Sequence, residues 1–267
     1  MHNYKIGFIG CGNIASAIIR GSLNSGYIKS EDLYVFDTDF SKCSEFVSLG
    51  SAICESAAEL AEKCDFVFLT VKPQVYDIVL QEIKNVKSNV CYVAVAAGIT
   101  IKHIKNVLGF DAPVIRIMPN TPLMYGEGAS ALVYQPPVSE EQFSFIKGMF
   151  DCCGVTVQID EEYINTVTAI SGSAPAYVMR FADDFISFAK SQGIDKESAH
   201  TLVLQAFKGT IEMIHKSPET IDTLIKNVTS PNGTTEAGLK SMDTSDFERV
   251  VCDFLNATVK RADELTK

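Results

Sequence analysis

A short apolar segment followed at once by a glycine turn is the feature that most restricts the fold of this chain. The segment "YKIGFIGCGNIASAII" begins with a predicted strand over 4–9 and passes Gly10 and Gly12 into a helical pattern. Glycine at these two positions permits a tight turn from strand to helix and leaves the backbone accessible. The sequence therefore predicts the first half of a βαβ unit. Its strand and helix are joined by a turn in which two residues have no side chain.

The same alternation of strand and helix continues along the first part of the chain. Four further apolar segments are predicted strands: 32–37, 65–71, 91–97 and 113–118. Within the segments 65–71 and 91–97, apolar residues run without a break over 66–69 and 91–97, which is typical of strands buried on both faces of a parallel sheet. Beyond residue 160 the pattern is helical and no strand is predicted. We therefore predict an α/β domain over 1–160 and an all-helical domain over 161–267.

Charge and hydropathy exclude several classes of function. The formal net charge of −10 and the absence of a basic face argue against nucleic acid or an anionic membrane as a partner. No apolar run approaches the roughly 18 residues of a membrane span. The glycine turn follows the first residues so closely that no signal peptide fits before it, and we expect a cytoplasmic protein.

The cysteines and histidines do not form a pattern that predicts a metal site or a disulfide framework. The eight cysteines are scattered without a CxxC spacing, and the adjacent pair Cys152–Cys153 is interpreted as two core residues rather than a redox pair. None of the four histidines stands near an obvious acidic partner in the sequence. We therefore expect no metal and no hydrolytic triad.

The glycine turn also has the spacing of a dinucleotide-binding motif. "GCGNIA" fits G-x-G-x-x-G/A through Gly10, Gly12 and Ala15, and it follows a predicted strand and begins a predicted helix. Gly12 lets the backbone approach a pyrophosphate, and the helix that begins near Asn13 offers free N–H groups to the phosphates. The alternative is a tight turn that binds nothing.

An acidic residue ends the second predicted strand. Asp37 follows Ala15 by 22 residues, where a carboxylate accepts hydrogen bonds from the adenosine ribose of NAD. The same carboxylate repels the 2′-phosphate of NADPH, and Lys42 is the nearest cation, so Asp37 favours NADH. The alternative is that Asp37 only caps the turn that follows.

Two more polar segments follow buried strands, at the edge where open α/β sheets bind ligands. "TVKPQ" places Lys72 and Pro73 there, and "RIMPNTP" over 116–122 adds a loop that two prolines make rigid. Lys72 can face the cofactor phosphates or the substrate, or it can be an ordinary exposed lysine. The second loop can position a nicotinamide ring, or it can be a plain turn.

Five segments occur in an order and at spacings that resemble one family: "GFIGCGNIASAI", "TVKPQ", "RIMPNTP", "AISGSAPAYV" and "NVTSPNGTTEAG". Together they resemble pyrroline-5-carboxylate reductase, the last enzyme of proline biosynthesis, over the whole chain. The resemblance implies an N-terminal Rossmann domain that binds NADPH or NADH and a C-terminal helical dimerisation domain. It also implies a homodimer with swapped helices, which often assembles into a decamer.

The resemblance implies a set of site residues. The cofactor contacts are Gly10, Gly12, Asn13, Ile14, Asp37, Ser56, Val71, Lys72, Pro73, Ala97, Met118 and Asn120. The implied substrate is a cyclic imine carboxylate, held by Ser230, Asn232, Gly233, Thr234, Ser171 and Ser173. Thr235 and Lys72 are the candidate catalytic residues, and the Thr235 hydroxyl is expected to meet the imine nitrogen.

Some residues differ from the family pattern. This chain has "SGSAPAY" where the family has SGSGPAY, and "SPNGTT" where it has SPGGTT. Ala174 adds only a methyl group, and Asn232 tolerates the left-handed backbone conformation that glycine favours. Ser56 and Ala57 stand where family members often carry an asparagine that contacts the cofactor.

Two alternatives remain open from the sequence. One is a related imine reductase or a hydroxyacid dehydrogenase, although the latter normally needs a lysine on the long helix after the sheet, which has none before Lys190. The other is a nucleotide-binding sensor without activity.

Overall fold

The computed structural model describes residues 4–86 and 89–266; His2 lies outside them. Its strands are β1 (Ile6–Ile9), β2 (Leu33–Phe36), β3 (Ala52–Ile53), β4 (Phe66–Leu69), β5 (Cys91–Ala94), β6 (Val114–Met118), β7 (Gly128–Tyr134) and β8 (Gly154–Gln158). Over these residues they form one sheet in the order β3-β2-β1-β4-β5-β6-β7-β8. The first six strands are parallel, and their order is that of a doubly wound dinucleotide-binding sheet.

The sheet departs from the prediction at its far edge. The sequence patterns predicted five strands in a parallel sheet. They did not predict β3, β7 or β8. β7 runs antiparallel to β6, with Ile117 opposite Leu132, and β8 then runs parallel to β7. The reason is that β6 and β7 are joined by a short connection, and a parallel return needs a crossover of a dozen residues or more.

Helices cover both faces of this sheet. They are α1 (Asn13–Asn24), α2 (Ser44–Ser48), α3 (Ala57–Lys63), α4 (Tyr76–Ile83), α5 (Ile101–Leu108) and α6 (Glu140–Asp151). One buried cluster joins α1 and α6 to alternate strand residues such as Phe8 and Phe68, whose rings stack 4.3 Å apart. A second cluster joins α3, α4 and α5 to the other strand face, which carries Ile9 and Leu69. Because successive strand residues point to opposite faces, the unbroken apolar strands supply both layers.

The remaining described residues contain helices and no strand. These helices are α7 (Ile164–Val167), α8 (Ala174–Ser191), α9 (Lys196–Lys216), α10 (Ile221–Asn227), α11 (Thr234–Thr244) and α12 (Phe247–Leu265). Asp195 caps α9, since its carboxylate accepts from the N–H groups of Glu197 and Ser198. Within "NVTSPNGTTEAG", α10 ends at Asn227 and α11 begins at Thr234.

The long helix predicted after residue 161 is interrupted. A π-helical turn spans Thr168–Gly172, and α8 begins two residues later. Pro175 then lies in the first turn of α8, where its missing N–H has no intrahelical partner to lose. The helical pattern is therefore interrupted within "SGSAPAY" and starts again at Ala174.

Contacts between Cα atoms divide the chain into two compact units. One comprises the described residues up to Ser173 together with those from Thr258 onward, and the other is Ala174–Ala257. The boundary predicted at residue 160 falls inside the first unit and stays a prediction. Within the described residues, no helix is both long enough and apolar enough to cross a membrane.

Candidate active site

The glycine turn after β1 is fixed against the end of β4. Gly10 has a φ of +98°, which favours glycine, and a Cβ there would lie 3.0 Å from the Thr70 carbonyl group and 2.9 Å from Val71 Cγ1. The Thr70 hydroxyl donates to the Gly10 carbonyl oxygen at 2.7 Å. Sequence analysis missed Thr70, whose signal is its place as the first polar residue after a fully apolar strand.

The other glycine of the turn faces open space. No heavy atom of the described structure lies within 4 Å of a Cβ placed on Gly12, which precedes the first residue of α1. No side chain of the described residues caps α1, so the N–H groups of its first turn are free to bind an anion. Asn13 is exposed and Ile14 half-buried at this helix start. These features fit the pyrophosphate of a dinucleotide.

Asp37 is held in place by two backbone groups. Its Oδ2 accepts from the Cys11 N–H at 2.9 Å and its Oδ1 from the Asp39 N–H at 2.9 Å. Lys42 Nζ lies 3.6 Å from Oδ1 and balances part of the charge. Asp37 does cap the turn after β2, and it also contacts the glycine turn. Each carboxylate oxygen keeps a further acceptor site, so the capping role leaves room for ribose hydroxyls.

Two thiols pack directly under this part of the site. Cys11 Sγ and Cys43 Sγ are 3.6 Å apart and both residues are buried. Burial raises the pKa of both thiols above the ordinary value, so they stay protonated at neutral pH. Cys152 and Cys153 are likewise free thiols and pack at the end of α6, as core residues would.

Ser56 has a structural partner. It is the N-cap of α3, and its hydroxyl accepts from the Glu59 N–H at 3.1 Å. Serine is a preferred residue at this position because it satisfies one of the unpaired N–H groups of the first turn. The cap gives Ser56 a structural role in addition to the cofactor contact that the resemblance implies.

The end of β4 carries Val71, Lys72 and Pro73. Pro73 begins a short 3-10 helix with the exposed Lys72 as its N-cap residue. The strand itself already ends at Leu69, and Pro73 occupies the first position of the helical turn, which suits proline. Val71 is half-buried and lies beside Gly10, so the glycine turn and the end of β4 are brought together.

The end of β6 is brought against the segment that contains Ser171. Asn120 Oδ1 accepts from the Ala129 N–H at 2.9 Å, and its Nδ2 lies 3.4 Å from Ser171 Oγ. Met118 packs against Gly172, where a Cβ would clash with the methionine methyl group. Ser173 is half-buried and its N–H donates to the Thr168 carbonyl oxygen at 2.8 Å. The loop at 116–122 is therefore more than a free turn.

Ala97 is half-buried in the loop between β5 and α5. The next residue, Gly98, has a φ of +76°, and a Cβ there would lie 2.6 Å from the Leu265 carbonyl oxygen. The chain's last helical turn thus packs on the loop that carries Ala97. Sequence analysis found no signal for this contact, because it joins residues far apart in the chain.

The second unit contains the segment "SPNGTT" at the start of α11. Asn232 has a φ of 57°, which confirms that it takes the left-handed conformation. The Gly233 N–H donates to the Ser230 carbonyl oxygen at 2.9 Å and closes the turn. Thr234 and Thr235 are the first two residues of α11, and no described side chain caps this helix. Its first N–H groups are therefore available to a carboxylate.

Glu236 adds a contact that the motif did not predict. Its carboxylate accepts from the Asn232 N–H at 2.5 Å, and Lys240 lies 3.0 Å from its other oxygen. One of the N–H groups of the turn is thus already bonded, which leaves those of the helix start for an anion. The side chain also holds Asn232 in its left-handed conformation.

One histidine has an acidic partner, contrary to the sequence-based expectation. His103 Nε2 lies 2.6 Å from Asp77 Oδ1, between α5 and α4. The two residues are 26 positions apart, so the sequence alone does not bring them together. Over the described residues, no group of three or more potential ligands is placed to hold a metal ion.

Comparisons with known proteins support one family across the chain. Residues 161–265 match a family model described as pyrroline-5-carboxylate reductase dimerisation. Residues 5–98 match one described as NADP oxidoreductase, coenzyme F420-dependent. Pyrroline-5-carboxylate reductase 2 of Bacillus subtilis is 33% identical over 265 residues, which cover 98% of this chain and 95% of the relative.

Solved structures support the same family. The structure of a pyrroline-5-carboxylate reductase from Coxiella burnetii superposes with a TM-score of 0.92 at 30% identity and covers 100% of both chains. The crystal structure of Plasmodium falciparum pyrroline carboxylate reductase with NADP bound gives a TM-score of 0.89 at 30% identity, again over 100% of both chains. These likenesses confirm the Rossmann domain followed by a helical dimerisation domain, and the chain belongs to the pyrroline-5-carboxylate reductase family.

Proposed function

We propose that this chain reduces the C=N bond of 1-pyrroline-5-carboxylate to give L-proline, with NADPH or NADH as the reductant. The observation that carries the proposal is a pair of uncapped helix starts in one chain, α1 behind Gly12 and α11 behind Gly233. Each offers free N–H groups to an anion, one for a pyrophosphate and one for a carboxylate. The reduced nicotinamide, when bound, supplies the hydride.

The cofactor is held by the residues around the glycine turn. Gly10 and Gly12 let the backbone approach the pyrophosphate, and the first turn of α1 at Asn13 and Ile14 donates to it. Asp37 accepts from the adenosine ribose hydroxyls. Lys72, exposed at the end of β4, contributes a cation to the phosphates or to the substrate. We further assign cofactor contacts to Ser56, Val71, Pro73, Ala97, Met118 and Asn120.

The substrate carboxylate is held by the N-terminus of α11. The turn over Ser230, Asn232 and Gly233 presents the N–H groups of Thr234 and Thr235, so no cation is required. The helix dipole adds partial positive charge at the same end. Ser171 and Ser173 contribute hydroxyl groups from the segment before α8.

Thr235 acts on the imine nitrogen. A neutral hydroxyl is too weak an acid to protonate the imine, but its oxygen accepts a hydrogen bond from the protonated nitrogen and orients the ring. We propose that the substrate reacts as the iminium ion and that water supplies the proton. Catalysis then rests mainly on positioning and on the exclusion of bulk water.

The second unit bears the surface of a dimer. Many large apolar side chains on α8, α9 and α12 are exposed, among them Met179, Phe185, Phe188, Leu202, Ile211 and Phe254. Exposed apolar area on this scale marks an interface between proteins. We propose a homodimer with swapped helices that can assemble into a decamer, and a cytoplasmic location stays a prediction.

The proposed reaction is tested by absorbance of the reduced nicotinamide. Purified protein is mixed with pyrroline-5-carboxylate and either NADH or NADPH, and L-proline is identified as the product. Substrate-dependent oxidation is expected. Protein that binds a reduced dinucleotide and yet oxidises none with this substrate would contradict the proposal, in favour of another imine reductase or a nucleotide sensor.

We expect Asp37 to set the cofactor preference. Its fixed carboxylate accepts from ribose hydroxyls and repels a 2′-phosphate, so wild-type protein is expected to bind NADH more tightly than NADPH. Asp37→Asn removes the charge and keeps the shape. The ratio of the two dissociation constants is expected to move toward NADPH by about tenfold, because one nearby charge in a partly exposed site is worth about 1–2 kcal/mol.

Fluorescence titration of both cofactors measures this shift. Asp39→Asn is the matched control: Asp39 is exposed, lies in the same turn and also faces Lys42, but makes no hydrogen bond to the glycine turn among the described contacts. An equal shift in both variants would assign the effect to the general field of the loop rather than to Asp37.

A further inference from the structure

An ion pair between a buried arginine and a half-buried glutamate lies beneath the carboxyl edge of the sheet and has no part in the mechanism above. Arg116, in the middle of β6, is only 2% exposed, and its Nη1 donates to Glu161 Oε1 at 2.9 Å. The same carboxylate oxygen accepts from the Ile101 N–H at 2.9 Å. Ile101 is the first residue of α5. Glu161 therefore ties the strand β6 to the start of α5.

Tyr76 makes an equivalent link at the other end of the loop that joins β5 to α5. It is fully buried, and its hydroxyl donates to the Leu69 carbonyl oxygen at 2.5 Å, at the end of β4. The hydroxyl also accepts from the Val95 N–H at 3.2 Å, directly after β5. Burial raises the pKa of this phenol, so the hydroxyl keeps its proton at neutral pH.

The loop over 95–100 is thus held at both ends by side chains. Tyr76 holds its first N–H group, and Glu161 holds the N–H of Ile101 just beyond its last residue. In the middle, Gly98 packs against the Leu265 carbonyl group. This loop carries Ala97. Of the two strands next to β5, β4 ends two residues before Val71, and β6 ends at Met118. All three residues are proposed cofactor contacts.

Stability alone is a poor explanation of the ion pair. The buried guanidinium of Arg116 loses its hydration, and an apolar pair of similar volume is often as stable as a buried ion pair. Arg116 Nε is buried and has no hydrogen-bond partner among the described residues. An unpaired buried donor costs about 1–3 kcal/mol. What the pair does provide is one fixed arrangement of three chain segments.

We propose that Arg116 and Glu161 are positioning residues for hydride transfer, because they fix the loop over 95–100, which follows β5 on the side of β1 opposite to β2 and Asp37. A dinucleotide whose adenosine meets Asp37 would extend its nicotinamide half toward that side of the sheet. This inference rests on the proposed reductase function. The pair acts on the nicotinamide end alone, since the adenosine end is held by the glycine turn and Asp37. Loss of Glu161 should therefore disturb the nicotinamide half of the cofactor site and leave the adenosine half unchanged.

The test compares Glu161→Ala and Glu161→Gln with wild type and with Asp111→Asn. Asp111 pairs with Lys105 at 2.6 Å near the other end of α5, so its variant removes an ion pair without touching the loop. Each protein is titrated with ADP-ribose, which lacks the nicotinamide. Each is then assayed for kcat, for KM, and for the isotope effect of reductant deuterated at the transferred position.

For Glu161→Ala we expect kcat to fall by roughly tenfold or more and the isotope effect to rise, because a displaced ring slows the hydride step. The dissociation constant of ADP-ribose is expected to stay within about twofold of wild type. Glu161→Gln is expected to retain intermediate activity, since its amide oxygen still accepts from the Ile101 N–H. Asp111→Asn is expected to behave as wild type.

Two results would overturn the proposal. ADP-ribose binding that weakens in step with kcat would mean that the pair supports the fold generally. Unchanged kcat and isotope effect in both Glu161 variants would mean that the loop does not depend on it. A wild-type protein that binds ADP-ribose but does not reduce pyrroline-5-carboxylate would instead contradict the proposed function.

Discussion

Replacement of Gly12 by valine should leave the protein folded and remove its ability to bind the dinucleotide. A Cβ on Gly12 meets no described atom within 4 Å, and the residue has a φ of −80° and a ψ of −173°, which a β-branched residue adopts without strain. The valine methyl groups would occupy the space in front of α1. That space is where the pyrophosphate must approach the backbone.

We expect Gly12→Val to weaken binding of reduced dinucleotide by about two orders of magnitude or more, which corresponds to about 3 kcal/mol. The melting temperature is expected to change by no more than about 2 °C. Fluorescence titration measures the first quantity and thermal unfolding the second. Normal binding by this variant would mean that the turn does not hold the phosphates.

Gly10→Ala provides the contrast within the same turn. Its φ of +98° disfavours any side chain, and its Cβ would lie 3.0 Å from the Thr70 carbonyl group. This variant is expected to lose about 1–3 kcal/mol of unfolding free energy. A larger thermal shift for Gly12→Val than for Gly10→Ala would contradict the division of roles between the two glycines.

The sequence predicts the first half of the sheet well because its signals there are local. Apolar runs mark β1, β4, β5 and β6, and the glycine turn marks the start of α1. The strands β7 and β8 follow a proline-rich turn and a helix, where no alternation was recognised. β8 is an edge strand with exposed Val155 and Val157, so its pattern is not that of a buried strand.

The residues of the candidate site likewise divide into those that local sequence reveals and those that it does not. Residues that act through backbone geometry, such as Gly12 and Asn232, are visible in the sequence because few residue types tolerate those positions. Residues that act through distant partners are not visible. Arg116 and Glu161 are 45 positions apart and Tyr76 and Val95 are 19 apart, and nothing in their local sequence indicates that they meet.

One residue that departs from the family pattern, Asn232, has a hydrogen-bond partner of its own. Asn232 replaces a glycine and takes the left-handed conformation, and Glu236 bonds its N–H at 2.5 Å. The turn is therefore held in place although its glycine is lost. This argues that the site at α11 is intact rather than degenerate, and it makes Thr235 the residue on which the mechanism can be tested most directly.

Thr235→Val is expected to lower kcat by about a hundredfold, because loss of one preorganised hydrogen-bond partner of a reacting group typically costs about 3 kcal/mol. Valine keeps the shape of threonine and removes only the hydroxyl. The residue is exposed and makes no described side-chain cap, so the fold should be unaffected. Thr235→Ser restores the hydroxyl and is expected to recover most of the rate.

Steady-state rates with saturating cofactor measure kcat, and cofactor titration shows whether binding changes. The matched control is Thr244→Val, at the other end of α11, whose hydroxyl donates only to the Lys240 carbonyl oxygen among the described contacts. It should leave kcat unchanged, since the loss of that bond lies three turns from the helix start. If Thr235→Val is as active as wild type, the hydroxyl does not meet the imine nitrogen. The helix start would then act on the substrate carboxylate alone, and the effect of Thr235 would appear in KM.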